Sequence, residues 1–179
     1  MDMPITVPVE ITDWKPAPFD LAGETVFAIG DVHGCAVELR GLLDCIAHLA
    51  GEATGRRRLI YLGDMIDRGP DGIGVLEQWA ESADERGVDH IDRVMGNHEI
   101  MMMLAAIGGP HADKAATMWL SKRMGGQTLL DQMRARTGKP QAAPDQALLA
   151  DALGDAVVHR LYSMRSHVRL GNALFVHGG

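Results

Sequence analysis

An α/β domain with at least partly parallel strand pairing is the fold class that the sequence predicts, on three observations. Apolar runs of strand length alternate with segments of 3.6-residue hydrophobic period between residues 26 and 107. Four apolar runs lead directly to a residue of cation-ligating type: Ile29-Gly30 to Asp31, Leu62-Gly63 to Asp64, Met95-Gly96 to Asn97, and Val176 to His177. The chain has 179 residues, 46% hydrophobic and 23% charged, which suits one packed domain and excludes a disordered or fibrous chain.

Residues 1–23 carry Pro4, Pro8, Pro16 and Pro18 with little periodicity, so an extended arm with at most one edge strand is expected there, as a lid or packing strap. The domain proper is expected over 24–179. Val26-Phe27-Ala28-Ile29 reads as its first strand, followed by a Gly-rich turn. A helix follows over about 36–50, with Val37, Leu39, Leu42, Leu43, Ile46 and Leu49 on its apolar face. Leu59-Ile60-Tyr61-Leu62 reads as the second strand, with a turn through Asp64 to Gly72 and a helix over about 73–85 that ends near Gly87. The third unit is a strand from His90 to Met95 and a helix over about 98–107, stopped by Gly108-Gly109-Pro110. Asp31, Asp64 and Asn97 recur at intervals of 33 residues, yet each unit holds a buried strand and none carries Thr-Pro-Leu-His, which excludes an ankyrin array. From 112 to 162 the pattern is helical, broken at Gly125-Gly126 and at Thr137 to Pro144, so a helical cap is expected over about 100–165. A last strand, Ala173-Leu174-Phe175-Val176, precedes His177.

A formal charge of −7 argues against a nucleic-acid binder held by counterion release, which needs a basic surface. Acidic residues gathered in one pocket suit metal cations instead. No apolar run approaches the ~20 residues needed to cross a bilayer. The start, Met1-Asp2-Met3-Pro4, lacks a basic and an apolar leader region, so a cytoplasmic protein without membrane partners is expected. Cys35 and Cys45 do not make a disulfide framework and read as free thiols. Cys45 suits a core position, and Cys35 lies near a helix N-terminus, where a thiol pKa falls.

Polar residues delivered at the carboxyl ends of strands occupy the edge where open α/β sheets bind ligands. His33 follows Asp31 by two residues, Asp67 follows Asp64 by three, and His98 adjoins Asn97, so carboxylates, imidazoles and an amide oxygen gather together. Such mixed O and N donors suit Mn, Fe or Zn, and a central carboxylate, assigned to Asp64, can bridge two ions ~3.5–4 Å apart. Gly30, Gly34, Gly63, Gly69 and Gly96 flank these positions, where the chain must turn tightly or let a ligand approach.

The ordered stretches Gly30-Asp31-Val32-His33-Gly34, Gly63-Asp64-Met65-Ile66-Asp67-Arg68-Gly69, Gly96-Asn97-His98-Glu99 and His177-Gly178-Gly179 resemble the motifs of the calcineurin-like metallophosphoesterases, within them the phosphoprotein phosphatase branch. The resemblance covers residues 25–179. Trp119-Leu120 through Gly125-Gly126 to Thr128-Leu129 is similar to a bacterial subgroup that holds small serine/threonine phosphatases and symmetrical dinucleoside tetraphosphatases. The resemblance implies a four-layer αββα sandwich with a helical cap. It implies Asp31 and His33 as ligands of a first metal, Asp64 as the bridge, and Asn97 and His177 as ligands of a second. It further implies that Arg68, with Asn97, grips phosphate, that His98 protonates the leaving oxygen with Asp67 orienting it, and that a water activated between two ions, Mn above all, attacks phosphorus in line. Glu99 is expected to orient its own loop. The family pattern continues past His177 with a further metal-binding His and further strands, so this chain is expected to be a C-terminally truncated form.

Singly, Asp31, Asp64 and Asp67 could be turn or cap residues, His98 and His177 satisfied half-buried imidazoles, and Arg68 a surface ion-pair partner; their convergence on four strand ends favours the site. Met101-Met102-Met103 reads as core packing and Arg56-Arg57-Arg58 as a solvated loop. His48, His90 and His111 read as surface residues, Trp79 and Trp119 as apolar helix faces, with Trp119 an alternative cleft lining. The expected function is phosphoester hydrolysis, first as a serine/threonine protein phosphatase acting on a phosphorylated protein. A dinucleoside polyphosphate (diadenosine tetraphosphate) hydrolase is the alternative. From another class, a non-catalytic interaction module would associate through an unpaired sheet edge.

Overall fold

The computed structural model describes residues 7–10, 12 and 18–178. Pro4, Pro16 and most of the expected arm, together with Gly179, lie outside the described residues. Among those described, no strand precedes Glu24.

Three strands, β1 (Glu24–Ile29), β2 (Arg56–Tyr61) and β3 (His90–Arg93), form a parallel sheet in the order β1-β2-β3. Helices α1 (Ala36–Glu52) and α2 (Gly72–Trp79) make the crossovers that parallel pairing requires. Ile29 lies beside Tyr61, and Tyr61 beside Arg93, so all three strands finish level at one edge. The even spacing seen in the sequence follows from this register. Asp31, Asp64 and Asn97 emerge two, three and four residues past those aligned ends.

The strand period of two divides the apolar side chains between two faces. Leu59 and Tyr61 enter the main core with Ile29, with Leu39, Leu43 and Ile46 of α1, and with Val75, Leu76 and Trp79 of α2. Ile60 points the other way and meets Val94, Val168 and the half-buried Val26, Leu62, Leu170 and Phe175. That second face is covered by an antiparallel hairpin, β4 (Val168–Leu170) and β5 (Ala173–Phe175), turned at Gly171-Asn172. Layers of helix, parallel sheet and hairpin result, an α/β architecture as the sequence predicts.

Helix α3 (Asn97–Ile107) starts at the end of β3 and buries Met102 and Met103 in the main core, as expected of that methionine run. Helices α4 (Ala112–Trp119), α5 (Gln127–Thr137), α6 (Gln146–Leu153) and α7 (Asp155–Tyr162) fill the stretch of helical pattern. Their Trp119, Leu129, Leu130, Met133, Leu148, Leu149 and Leu161 join the same core. Asp71 and Asp145 cap α2 and α6 by accepting from Gly74 N and Leu148 N at 2.8 Å each, and Gly138 closes α5 in the left-handed region.

Three expectations need correction. Arg56-Arg57-Arg58 is not a solvated loop but the start of β2. Arg58 is 9% exposed and bonds Glu24 of β1 at 2.6 Å and Asp92 of β3 at 2.5 Å, so a buried charge is matched from both flanking strands. Helix α2 stops at Trp79 rather than near residue 85, because Ser82 and Glu85 bond each other's backbone N–H groups in a local turn of capping-box form. His90 is half-buried beside Asp92 rather than at the surface. Among the described residues no helix is long and apolar enough to cross a membrane.

Candidate metal centre

The loops that leave β1 and β2 are laced together by backbone hydrogen bonds. Asp31 N donates to Gly63 O, His33 N to Asp64 O, Gly34 N to Met65 O and Gly69 N to His33 O, all at 2.9–3.2 Å. Six described non-glycine residues have positive φ, and five of them are Asp31, His33, Asp64, Asp67 and Arg68. Such conformations cost of order 1–3 kcal/mol each and persist where the surroundings over-determine them. Gly69 and Gly96 permit close approaches that no side chain would allow: a Cβ would lie 2.2 Å from His33 O at Gly69 and 2.3 Å from Asp64 N at Gly96.

Glu99 is the buried clamp on this geometry. It is 1% exposed, and its carboxylate accepts from Asp64 N at 2.9 Å, Met65 N at 2.8 Å and Gly96 N at 3.0 Å. It therefore orients the loop after β2 as well as its own, which extends the role read from the sequence.

Asp64, 4% exposed, stands at the centre. Its Oδ2 lies 3.3 Å from His177 Nε2, 3.7 Å from His33 Nε2 and 3.8 Å from His98 Nε2. Its Oδ1 accepts from His98 N at 3.1 Å. Two ligand groups share it, His33–Asp64–His98 and Asp31–Asp64–His177, each with donor atoms within 4.8 Å of one another. Of the two residues that the resemblance assigns to a first metal, Asp31 falls in the group with His177 and His33 in the group with His98, and Asp64 is common to both. Asn97 joins the second group, its Oδ1 lying 3.1 Å from His177 Nε2.

The donor chemistry fits divalent cations. His33 Nδ1 bonds Ile66 O and His177 Nδ1 bonds Leu62 O, both at 2.9 Å. A proton held on each Nδ1 by a carbonyl leaves each Nε2 lone pair facing the cluster, the orientation that metal-ligating histidines take from their outer partners. Lone pairs of His177 and Asn97 then face one another at hydrogen-bond distance, an arrangement that a cation satisfies. In the first group a cationic side chain already occupies that role, for Arg68 donates to His33 Nε2 at 2.7 Å and to His98 Nε2 at 3.2 Å.

Behind the cluster lies a buried dyad. His98 Nδ1 bonds Asp67 Oδ2 at 2.7 Å, and each of the two residues is 1% exposed. Burial pushes the Asp67 carboxyl up to about 7, against the pull of the Trp119 indole N–H, and burial lowers His98 from the ordinary imidazole range. Trp119 is fully buried and does not line the cleft. The cleft itself, about 720 Å³, has Asp64, Arg68 and His98 on its floor and Met118, Arg123 and Met124 of the α4–α5 segment on its wall. Arg123 and the contact of Trp119 with Asp67 escaped the sequence reading. Neither sits at a strand end, and only the Trp119 to Gly126 stretch signalled that this segment mattered.

The sequence is 33% identical over 90 residues to the symmetrical bis(5'-nucleosyl)-tetraphosphatase of Janthinobacterium sp. (strain Marseille), covering 49% of this chain and 30% of that one. It is 27% identical over 154 residues to the protein of the same name from Acidovorax sp. (strain JS42), covering 86% of this chain and 43% of that one. The chain spans less than half the length of these relatives. Among solved structures it resembles a cold-active protein-tyrosine phosphatase of a psychrophilic Shewanella species, with 19% identity, a TM-score of 0.42, and coverage of 88% of this chain and 44% of that one. The profile of the calcineurin-like phosphoesterases matches residues 24–179, strand-end motifs included, and the chain belongs to that family.

Proposed function

We propose that the centre around Asp64 hydrolyses phosphoesters with divalent metal ions, and that its substrate is a dinucleoside polyphosphate such as diadenosine tetraphosphate. The carrying observation is the convergence of Asp31, His33, Asp64, Asn97, His98 and His177 around one carboxylate, with Arg68 reaching into the same cleft. Two divalent cations bound there would supply Lewis-acid polarisation of a phosphoryl group and a water of lowered pKa. Asp31, His33, Asp64, Asn97 and His177 would hold them, and mixed O and N donors support Mn first, with Fe or Zn as rivals.

The chain's own groups account for the remaining steps. Arg68 offers a planar fork of donors to phosphate oxygens, a bidentate grip that a lysine would not give. His98, with Nδ1 held by Asp67, presents Nε2 to the cleft, where, once Arg68 turns to the phosphate, that nitrogen can take up a proton and pass it to the departing oxygen. Glu99 and the laced loops hold Asp64 in place without reorganisation.

Names of the relatives favour the dinucleotide over the phosphoprotein reading, and the wall of the cleft supports it: Arg123 adds a second cation to a cavity large enough for more than one phosphate. The unpaired cysteines, Cys35 and Cys45, support a reducing, cytoplasmic setting. Rates on diadenosine tetraphosphate and on a serine phosphopeptide, both with Mn²⁺, test the reading. We expect at least tenfold higher kcat/KM on the dinucleotide, and the reverse ratio would restore the serine/threonine phosphatase.

A further inference from the structure

We infer that Trp119 is a positioning residue for the proton transfer at His98: its indole N–H fixes the Asp67 carboxylate, and that carboxylate fixes the imidazole. This rests on the hydrolase reading above and adds to it a residue that lies outside every strand-end motif.

Trp119 Nε1 lies 3.0 Å from Asp67 Oδ1 and 2.9 Å from Oδ2, so one N–H is shared by both oxygens. Indole offers a donor and no acceptor, which makes this contact one-directional. Asp67 Oδ2 also takes the His98 Nδ1 bond at 2.7 Å, and all three side chains are buried. With no water to substitute, a carboxylate that lost the indole would be free to rotate about its Cβ–Cγ bond. The imidazole would then lose the in-plane partner that aims Nε2 at the cleft. A hydrogen bond to a buried charged group is worth enough to change a rate about tenfold when it acts in the transition state.

The backbone around Trp119 is shaped for this contact. Gly126 N donates to Trp119 O at 3.0 Å, and a Cβ on Gly126 would fall 2.4 Å from the indole Nε1. Only a residue without a side chain lets the start of α5 cross over the ring. Gly125, at φ 78°, presents its carbonyl to Arg68 N at 3.3 Å, so the same two-glycine turn braces the phosphate-gripping residue. The stretch from Trp119 at the end of α4 to Gly126 before α5 thus touches both the acid dyad and Arg68. That supplies a physical reason for the Trp119 to Gly126 pattern that the strand ends do not.

The test compares the unmodified chain with Trp119→Phe, which keeps an aromatic ring and removes the N–H. Kinetics are read on two phosphoesters with Mn²⁺, one with an alkoxide leaving group that needs a proton and one with 4-nitrophenolate, which needs little help. We expect kcat on the alkyl ester to fall about tenfold with KM unchanged, and kcat on the nitrophenyl ester to move less than twofold. Equal losses on both esters would reduce Trp119 to a packing residue and overturn the proposal. Independently of turnover, ¹⁵N NMR of the His98 ring reads the dyad: Nδ1 is protonated and bonded in the unmodified chain, and Trp119→Phe should shift both ring nitrogens. Unchanged ring signals would also overturn the proposal. Should Trp119→Phe not fold, Asp67→Asn reads the same bond from its other end, through an upfield move of the Trp119 indole proton, and an unmoved indole proton counts against it. If the unmodified chain hydrolyses neither ester, the hydrolase reading falls on its own, and the two NMR signals still decide whether Trp119 holds the dyad.

Discussion

At the scale of single residues, Glu99 shows how one buried carboxylate can hold together loops whose other side chains form the candidate site. Its carboxylate takes N–H groups from two loops, so removing the charge leaves buried donors facing a poorer acceptor. Glu99→Gln should lower stability by roughly 2–4 kcal/mol in urea unfolding. Arg56→Ala, at an exposed strand start, should stay within about 0.5 kcal/mol. Equal, small effects for both would remove Glu99 from its role. The Gly-Asn-His-Glu motif, through its family resemblance, assigns Glu99 the task of orienting its own loop, and the structure adds the backbone donors that it holds. Its reach across to Asp64 and Met65 depends on the packing of β3 against β2 and leaves no local trace. Trp119 makes the same point. An aromatic on an apolar helix face looks like core, and it is core, but the one polar atom on its rim meets Asp67 across 52 positions of chain.

Among the elements, the sheet is where local reading and structure part most clearly. Three consecutive arginines argue for solvent when taken alone, yet β2 begins with them because β1 and β3 each bring a carboxylate alongside. Glu24 is held below its ordinary 4.5 by its hydrogen bond from Arg58, and Asp89 is held at about 2 by Arg57. Depressed carboxyl pKa values contribute stability that is present above the unfolded values, and that is lost as pH falls through the folded ones. Unfolding free energy should therefore drop between about pH 5 and pH 2. The paired variant Glu24→Gln/Asp89→Asn should be less stable than the parent at pH 7, and the gap should narrow progressively below pH 5 and close only towards about pH 2. A gap that stayed constant over that range would show that these pairs are not linked to folding. The overextended helix has a local cause too: Ser82 and Glu85 close a turn of their own, a signal present in the sequence as Ser-x-x-Glu. Strand β4 is three residues long, too short for alternation to reveal, and it forms because the sheet face carrying Ile60 and Val94 needs cover.

For the whole molecule, the order of apolar run, glycine and ligand-type residue made the architecture and the site legible together. A parallel sheet must end all its strands at one edge, so any polar residue placed just past the strand ends must converge with the others. The register did that work here for residues 31 to 98, setting Ile29, Tyr61 and Arg93 level, while the separate hairpin brings His177 to Asp64 from the end of β5. What the pattern could not supply was which of these donor atoms lie within reach of one another, which depends on side-chain direction rather than spacing. The central claim is that Asp64 unites two cation-binding groups. It is tested most directly by the Mn²⁺ content of the folded chain at equilibrium dialysis, beside Asp64→Asn of the same chain. Binding of about two ions per chain, with both lost or greatly weakened in the variant, is the predicted result for a shared bridging ligand. Binding that is absent from the folded chain, or unchanged by Asp64→Asn, would contradict it.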